Sequence, residues 1–196
     1  MKKWESRKAI GAFLRYSWQY FLLVLVGAVG INVLIYYLVH TAKYEQTLSI
    51  FVASRDVQAP KLENDLMDAV FQDSSIKKVS VDYSNPDEYD FSLVFSTRGT
   101  VNTDIIILPL ARFEPVSFPT YFIDLAPLEG EAFYTGTNKT ENEGVVYGLG
   151  LPDKISTYFS IDGYALFLNK KSEKIGKVSP TSKNETAIEA LRWIYG

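Results

Sequence analysis

The chain has 196 residues, no cysteine, one histidine and a formal net charge of −3. The lack of thiols excludes a disulfide framework, a thiolate zinc site, a cysteine nucleophile and an acylated lipoprotein cysteine, and the lone His40 cannot build a His-rich metal site. Charge is unevenly placed: residues 1–40 hold five cations (Lys2, Lys3, Arg7, Lys8, Arg15) against Glu5, whereas the remainder holds 15 cations against 22 acids and lacks the basic footprint of a nucleic-acid binder.

From Tyr16 to Val39 the sequence YSWQYFLLVLVGAVGINVLIYYLV carries no formal charge over 24 residues. A helix needs about 20 such residues to cross the hydrocarbon layer. Tyr16, Trp18 and Tyr20 at one end, and Tyr36 and Tyr37 at the other, sit where interfacial aromatics belong. The cations ahead of the segment predict a cytoplasmic N-terminus and an exterior C-terminal body. A cleaved signal peptide is the competing reading, but the apolar run is long and Ala42, with His40 at the −3 position, makes a poor cleavage site. The expected organisation is a basic flank over 1–15, a transmembrane helix over 16–40 in contact with membrane lipid, and an extracytoplasmic domain over 41–196. Ile10, Phe13 and Leu14 fit either a short helix on the inner surface or a plain charged flank. Asn32 with Gly27, Ala28 and Gly30 either packs against another membrane helix or is simply tolerated in a lone anchor.

Beyond the anchor, Thr47–Ser54 (TLSIFVAS) predicts a strand. Pro60 opens a helical pattern in which Leu62, Leu66, Ala69 and Val70 share one face, ending near Asp73–Ser75. Lys78–Ser84 predicts a second strand. Asn85 as cap, Pro86 in the first turn and Gly99 as stop predict a second helix, with a strand at FSLVF as the alternative. Thr103–Leu108 is a third strand, aliphatic enough to be buried on both faces. Strand, helix, strand, helix, strand predicts a mainly parallel sheet with right-handed crossovers. The proline- and aromatic-rich stretch after Pro109 predicts short helices and turns. Gly144–Asp153 and Gly163–Lys170 predict strands. A final helix follows Ser182 and Glu185, which have capping-box spacing, with Ala187, Ile188, Leu191, Ile194 and Tyr195 on its apolar face.

The order of FIDLAPL (Phe122–Leu128), VVYGLGL (Val145–Leu151) and GYALFLNKKS (Gly163–Ser172) after the third strand resembles the N-terminal lobe of extracellular solute-binding proteins of bacterial ABC importers, the sugar-binding kind, over residues 47–196. The resemblance implies one lobe of a type II periplasmic-binding-protein-like α/β fold without the second lobe. It also implies a partner such as an ABC transporter permease or another membrane protein. A single lobe leaves one side of a ligand in water, so tight sugar capture is not expected.

In open α/β sheets ligands gather at the carboxyl ends of the strands, which points to Ser54, Arg55 and Pro109–Arg112, with Arg112 as the charged member. Asp104, just ahead of the third strand, is either a cleft-edge hydrogen-bond acceptor or a cap for a nearby turn. Tyr147 and Tyr164 either stack on a sugar or a partner, or belong to ordinary packing. No G-x-S-x-G, phosphate loop or histidine base occurs in the outer domain, so neither an enzyme nor a cofactor is expected. The expectation is a single-pass cell-membrane protein whose exterior domain docks a transporter or sensor. The alternatives are low-affinity solute binding and an inactive, truncated copy of a full binding protein.

Overall fold

In the computed structural model residues 2–40 and 42–196 are described, with side chains from 17–36 within the first helix. The chain falls into two units, Met1–Ala42 and Lys43–Gly196.

The first unit is helix α1, Lys2–His40, 39 residues without a break. Within it Ser17–Tyr36 has a mean hydropathy of 2.0 and no buried share, long and apolar enough to span a membrane. The helix starts well before the apolar run, so the basic flank is helical in backbone. The expected aromatic belts rest partly on Tyr16 and Tyr37, whose side chains lie outside the described residues, as does Thr41.

The second unit is a mixed α/β domain. Its elements are β1 (Thr47–Val52), α2 (Ala59–Leu66, continued by a wide π turn over Met67–Phe71), β2 (Lys78–Tyr83), α3 (Phe91–Val94, continued by a π turn over Phe95–Gly99), β3 (Ile105–Pro109), α4 (Phe118–Tyr121), β4 (Lys139–Asn142), β5 (Val145–Gly150), β6 (Tyr164–Leu168) and α5 (Thr186–Tyr195). They build one six-stranded sheet in the order β2-β1-β3-β6-β5-β4. β1 runs parallel to β2 and to β3, while β3–β6, β6–β5 and β5–β4 are antiparallel.

The sheet is therefore not mainly parallel, as the first half of the sequence suggested. The crossovers stop at β3. Afterwards β4 and β5 form a hairpin whose turn residues Glu143 and Gly144 both have positive φ, 52° and 79°, the backbone that two-residue hairpin turns require. β4 itself (KTEN) was not expected: it is a polar rim strand with no hydrophobic alternation to announce it. Two further boundaries differ. Asn85 does not cap a helix; its Oδ1 accepts from the Asp87 N–H at 3.0 Å in a local turn, and α3 starts only at Phe91. Ser182 does not form a capping box; its hydroxyl receives the Gly176 N–H at 2.7 Å and donates to neighbouring carbonyls, so α5 begins at Thr186.

Side-chain alternation along the central strands explains their unbroken apolar sequences. Leu48, Ile50, Val52, Ile105, Ile107, Leu166 and Leu168 face one layer, where Leu62, Leu66 and Phe71 from the α2 segment and Ile188, Leu191 and Ile194 from α5 cover them. Phe51, Ile106, Leu108 and Phe167 face the other, under Phe91, Phe95, Phe118 and Phe122. Two covered faces leave little room for polar residues, and in β1 only the half-buried Thr47 and Ser49 at its start are polar. The second layer is aromatic: Phe167 stacks on Phe122 at 4.2 Å between ring centroids and meets Phe118 at 5.3 Å. Gly148 lies across from Phe167, and a Cβ there would stand 2.7 Å from the Phe167 ring, so only glycine lets that ring lie flat on β5.

Candidate functional site

The connection from β1 to β2 carries α2 on one face of the sheet, and that from β2 to β3 carries α3 on the other. In open α/β sheets such a reversal marks the crevice position, at the carboxyl ends of the two strands that flank it, here β1 and β3. Residues just past those ends are tied down by backbone hydrogen bonds: Ala53 N–H to the Ile107 carbonyl at 2.8 Å, Ser84 N–H to the Val52 carbonyl at 3.2 Å and Leu110 N–H to the Gly163 carbonyl at 2.8 Å.

The structure sorts the six candidate residues into three places. Ser54, Arg55, Arg112 and Tyr164 belong to the carboxyl edge. Ser54 is buried. Arg55 is exposed and has no ion partner among the described residues. Arg112 pairs with Asp87 from the loop after β2, both side chains being more than half exposed. Tyr164, half-buried, sits beside Pro109 at the start of β6 with its ring 6.2 Å from that of Phe159.

Tyr147 is elsewhere. Val146 and Gly148 pair with the adjacent residues Glu141 and Thr140, leaving Tyr147 as the extra residue of a bulge. The bulge turns it onto the aromatic layer, edge-on to Phe118 at 6.2 Å. It packs, and does not join the crevice.

Asp104 is at the opposite, amino edge, wholly buried. It is not a cleft-edge acceptor. Its Oδ2 receives the Ser49 N–H at 3.0 Å and the Lys174 ammonium at 3.0 Å, and its Oδ1 receives the Ser172 hydroxyl at 2.7 Å. Lys174, with 1% of its side chain exposed, also donates to the Thr47 carbonyl at 2.6 Å and stands 3.8 Å from the centre of the Tyr44 ring. A buried charge persists only when paired and hydrogen-bonded, and both members here are. Burial, then the Asp104 and Glu173 charges, push the Tyr44 hydroxyl up to about 12, so it stays neutral. Beside the cluster is a pocket of about 360 Å³ lined by Tyr44, Glu45, Gln46, Glu173, Lys174 and Lys183, among others.

Lys174 was missed in the sequence because it closes a run of surface-like charges, LNKKSEK. The signal was the neighbouring polar pair. Asn169 donates to the Thr103 carbonyl at 2.7 Å, and Ser172 to Asp104. The segment GYALFLNKKS thus fastens the end of β6 to the start of β3.

A second charge cluster fixes the C-terminal helix. Glu131 receives Arg192 of α5 at 3.0 and 3.1 Å and Lys177 at 3.0 Å. These hydrogen bonds, Arg192 first, lower its carboxyl from 4.5 to about 2. A carboxyl lowered in the folded state stabilises above its unfolded value and loses that contribution as pH falls toward the folded one. The expected outcome is a loss of about 1–2 kcal/mol between pH 4.5 and 2, discounted because both cations are about half exposed. Glu131→Gln should flatten that part of a stability–pH curve measured by urea unfolding; an unchanged curve would refute the assignment.

The class defined so far is a mixed α/β domain following a helix of membrane-spanning length and composition. Comparison with protein families, with curated proteins and with solved structures finds no match for the chain.

Proposed function

We propose that the chain is a membrane-anchored, extracytoplasmic interaction module, similar to one lobe of the type II solute-binding proteins of ABC importers, that docks a transporter or sensor protein through the carboxyl edge of its sheet. The observation that carries this reading is the reversal at β1/β3 in a domain that follows, in sequence, a helix suited to anchoring. The residues of that carboxyl edge support a protein partner over a small solute. Tyr83, at the end of β2, is half exposed, Tyr89 in the following loop is wholly exposed, and Leu110 after β3 also meets water. Exposed tyrosine and arginine on the loops at one edge are residue types that protein interfaces favour. The Arg112–Asp87 pair links the loop that carries Tyr89 to the one that carries Leu110.

The test is photocrosslinking in the native membrane from a probe at Tyr89, with a probe at Lys61 on α2 as control. Capture of a permease or receptor subunit from Tyr89 alone is expected. Identical capture from both positions, or none from Tyr89, would refute docking at this edge. A thermal shift of the full chain in detergent with an oligosaccharide, lost in Arg55→Ala, would instead favour direct solute binding.

A further inference from the structure

We propose that the apolar helix pairs in parallel with the same helix of a second copy, through a seam centred on Asn32. The inference rests on the membrane-spanning reading of α1 and goes beyond the docking role of the outer domain.

The first observation is the Asn32 side chain. One of its amide hydrogens is donated to the Ala28 carbonyl at 2.8 Å, one turn back on the same helix. Its second N–H and its Oδ1 have no partner among the described residues, and the side chain is exposed within the apolar span. In hydrocarbon no water satisfies them. What remains is one donor and one acceptor on the same planar group, which is self-complementary: two such amides related by a two-fold axis satisfy each other.

The second observation is spacing. Trp18, Phe21, Leu25, Ala28, Asn32 and Ile35 alternate at three and four residues, the repeat that keeps one stripe facing a partner along a left-handed pair. Asn32 occupies one position of that stripe, and a lone asparagine there sets register and the number of strands. Ala28, one turn away on the same stripe, is small enough to let two backbones approach. Gly27 and Gly30 fall off the stripe and serve as the off-seam positions.

The third is symmetry. Every copy is inserted by the same flanking charges and so has the same orientation. Parallel copies in register place Asn32 against Asn32. A different protein would have to supply a matching amide at the same depth, whereas a second copy does so by construction.

The cysteine-free sequence allows a direct test. Single cysteines are placed at Ala28→Cys and Ile35→Cys on the stripe, and at Gly27→Cys and Gly30→Cys off it, in the full chain in its membrane. The membranes are oxidised with copper-phenanthroline and dimer is read on a gel. Dimer is expected at 28 and 35 and not at 27 or 30. In the Ile35→Cys chain, Asn32→Leu should weaken pairing on the order of 3- to 30-fold, the range for interhelical hydrogen bonds in membranes, and Asn32→Gln should retain it. Leucine is at home in lipid, so insertion is unaffected. Equal yields at all four positions, dimer only at 27 and 30, or no effect of Asn32→Leu would overturn the pairing. Washing the same membranes at high pH separates the two claims: a chain stripped into solution overturns the anchor itself, and a chain retained but never crosslinked overturns the pairing alone.

Discussion

Lys174→Met is expected to destabilise the α/β domain by about 3–5 kcal/mol, because it leaves the Asp104 carboxylate buried with no cation. For a domain of this size each kcal/mol lowers the melting temperature by roughly 2–4 °C. Asp104 keeps the Ser49 N–H and the Ser172 hydroxyl, which are too few to replace a charge at zero exposure. The Tyr44 ring loses the ammonium above it, so the turn at Tyr44–Gln46, the first structure of the domain, loosens at the same time. The double change Asp104→Leu with Lys174→Met removes both charges and should recover most of the loss, since isolated burial, not absence of the pair, is what costs. Thermal unfolding of the full chain in detergent measures all of these. A single variant within about 1 kcal/mol of the original would mean that water reaches Asp104.

Phe167→Ala should cost a similar amount, about 3–5 kcal/mol, from lost transfer energy plus the cavity left between β6 and the aromatic layer. The ring has no exposed surface and fills the space above Gly148, so no neighbouring side chain on β5 can move in. Phe167→Leu should cost markedly less. Gly148→Ala should be costly in the original chain and nearly neutral beside Phe167→Ala, because the added methyl enters the space the ring vacated. Urea unfolding of the four chains gives the coupling; additive costs would show that the two residues do not share that space.

How far the sequence could be read depends on where each signal comes from. Ile105–Leu108 announces a strand covered on both faces because alternate residues enter two apolar layers, and nothing polar is tolerated in either. α5 is legible through its spaced Ala, Ile and Leu residues and α2 through Leu62 and Leu66, whereas the π turn that follows leaves the expected Ala69 exposed and buries Phe71 instead; the 20-residue apolar window is legible through length alone. β4 is not legible: a short rim strand needs only a turn and a neighbour, and its residues are polar, alternating between exposed (Lys139, Glu141) and half-buried (Thr140, Asn142). The antiparallel half follows from a turn at Glu143–Gly144 that local propensity does not force. Of the candidate site, the carboxyl-edge residues follow from topology and could be named as soon as the strand order was assumed. Asp104 was misplaced because its partner Lys174 lies 70 residues away in sequence, and a lysine in a charged run carries no local mark of burial. For Tyr147 the choice between stacking and packing stays open in the sequence, because the bulge that turns it onto the aromatic layer depends on pairing with β4.

Glu63 on α2 has a consequence for a population of such molecules. Its Oε1 accepts the Val81 N–H at 2.7 Å, covering a free amide on β2, the outermost strand of the sheet on that side. At the far rim β4 is only four residues long, lies against the bulge in β5, and exposes Lys139 and Glu141. Where such domains are crowded, bare strand rims would zip domain to domain into filaments. With both rims blunted, crowding brings neighbours together without fusing their sheets, and association is left to whichever surface is shaped for it.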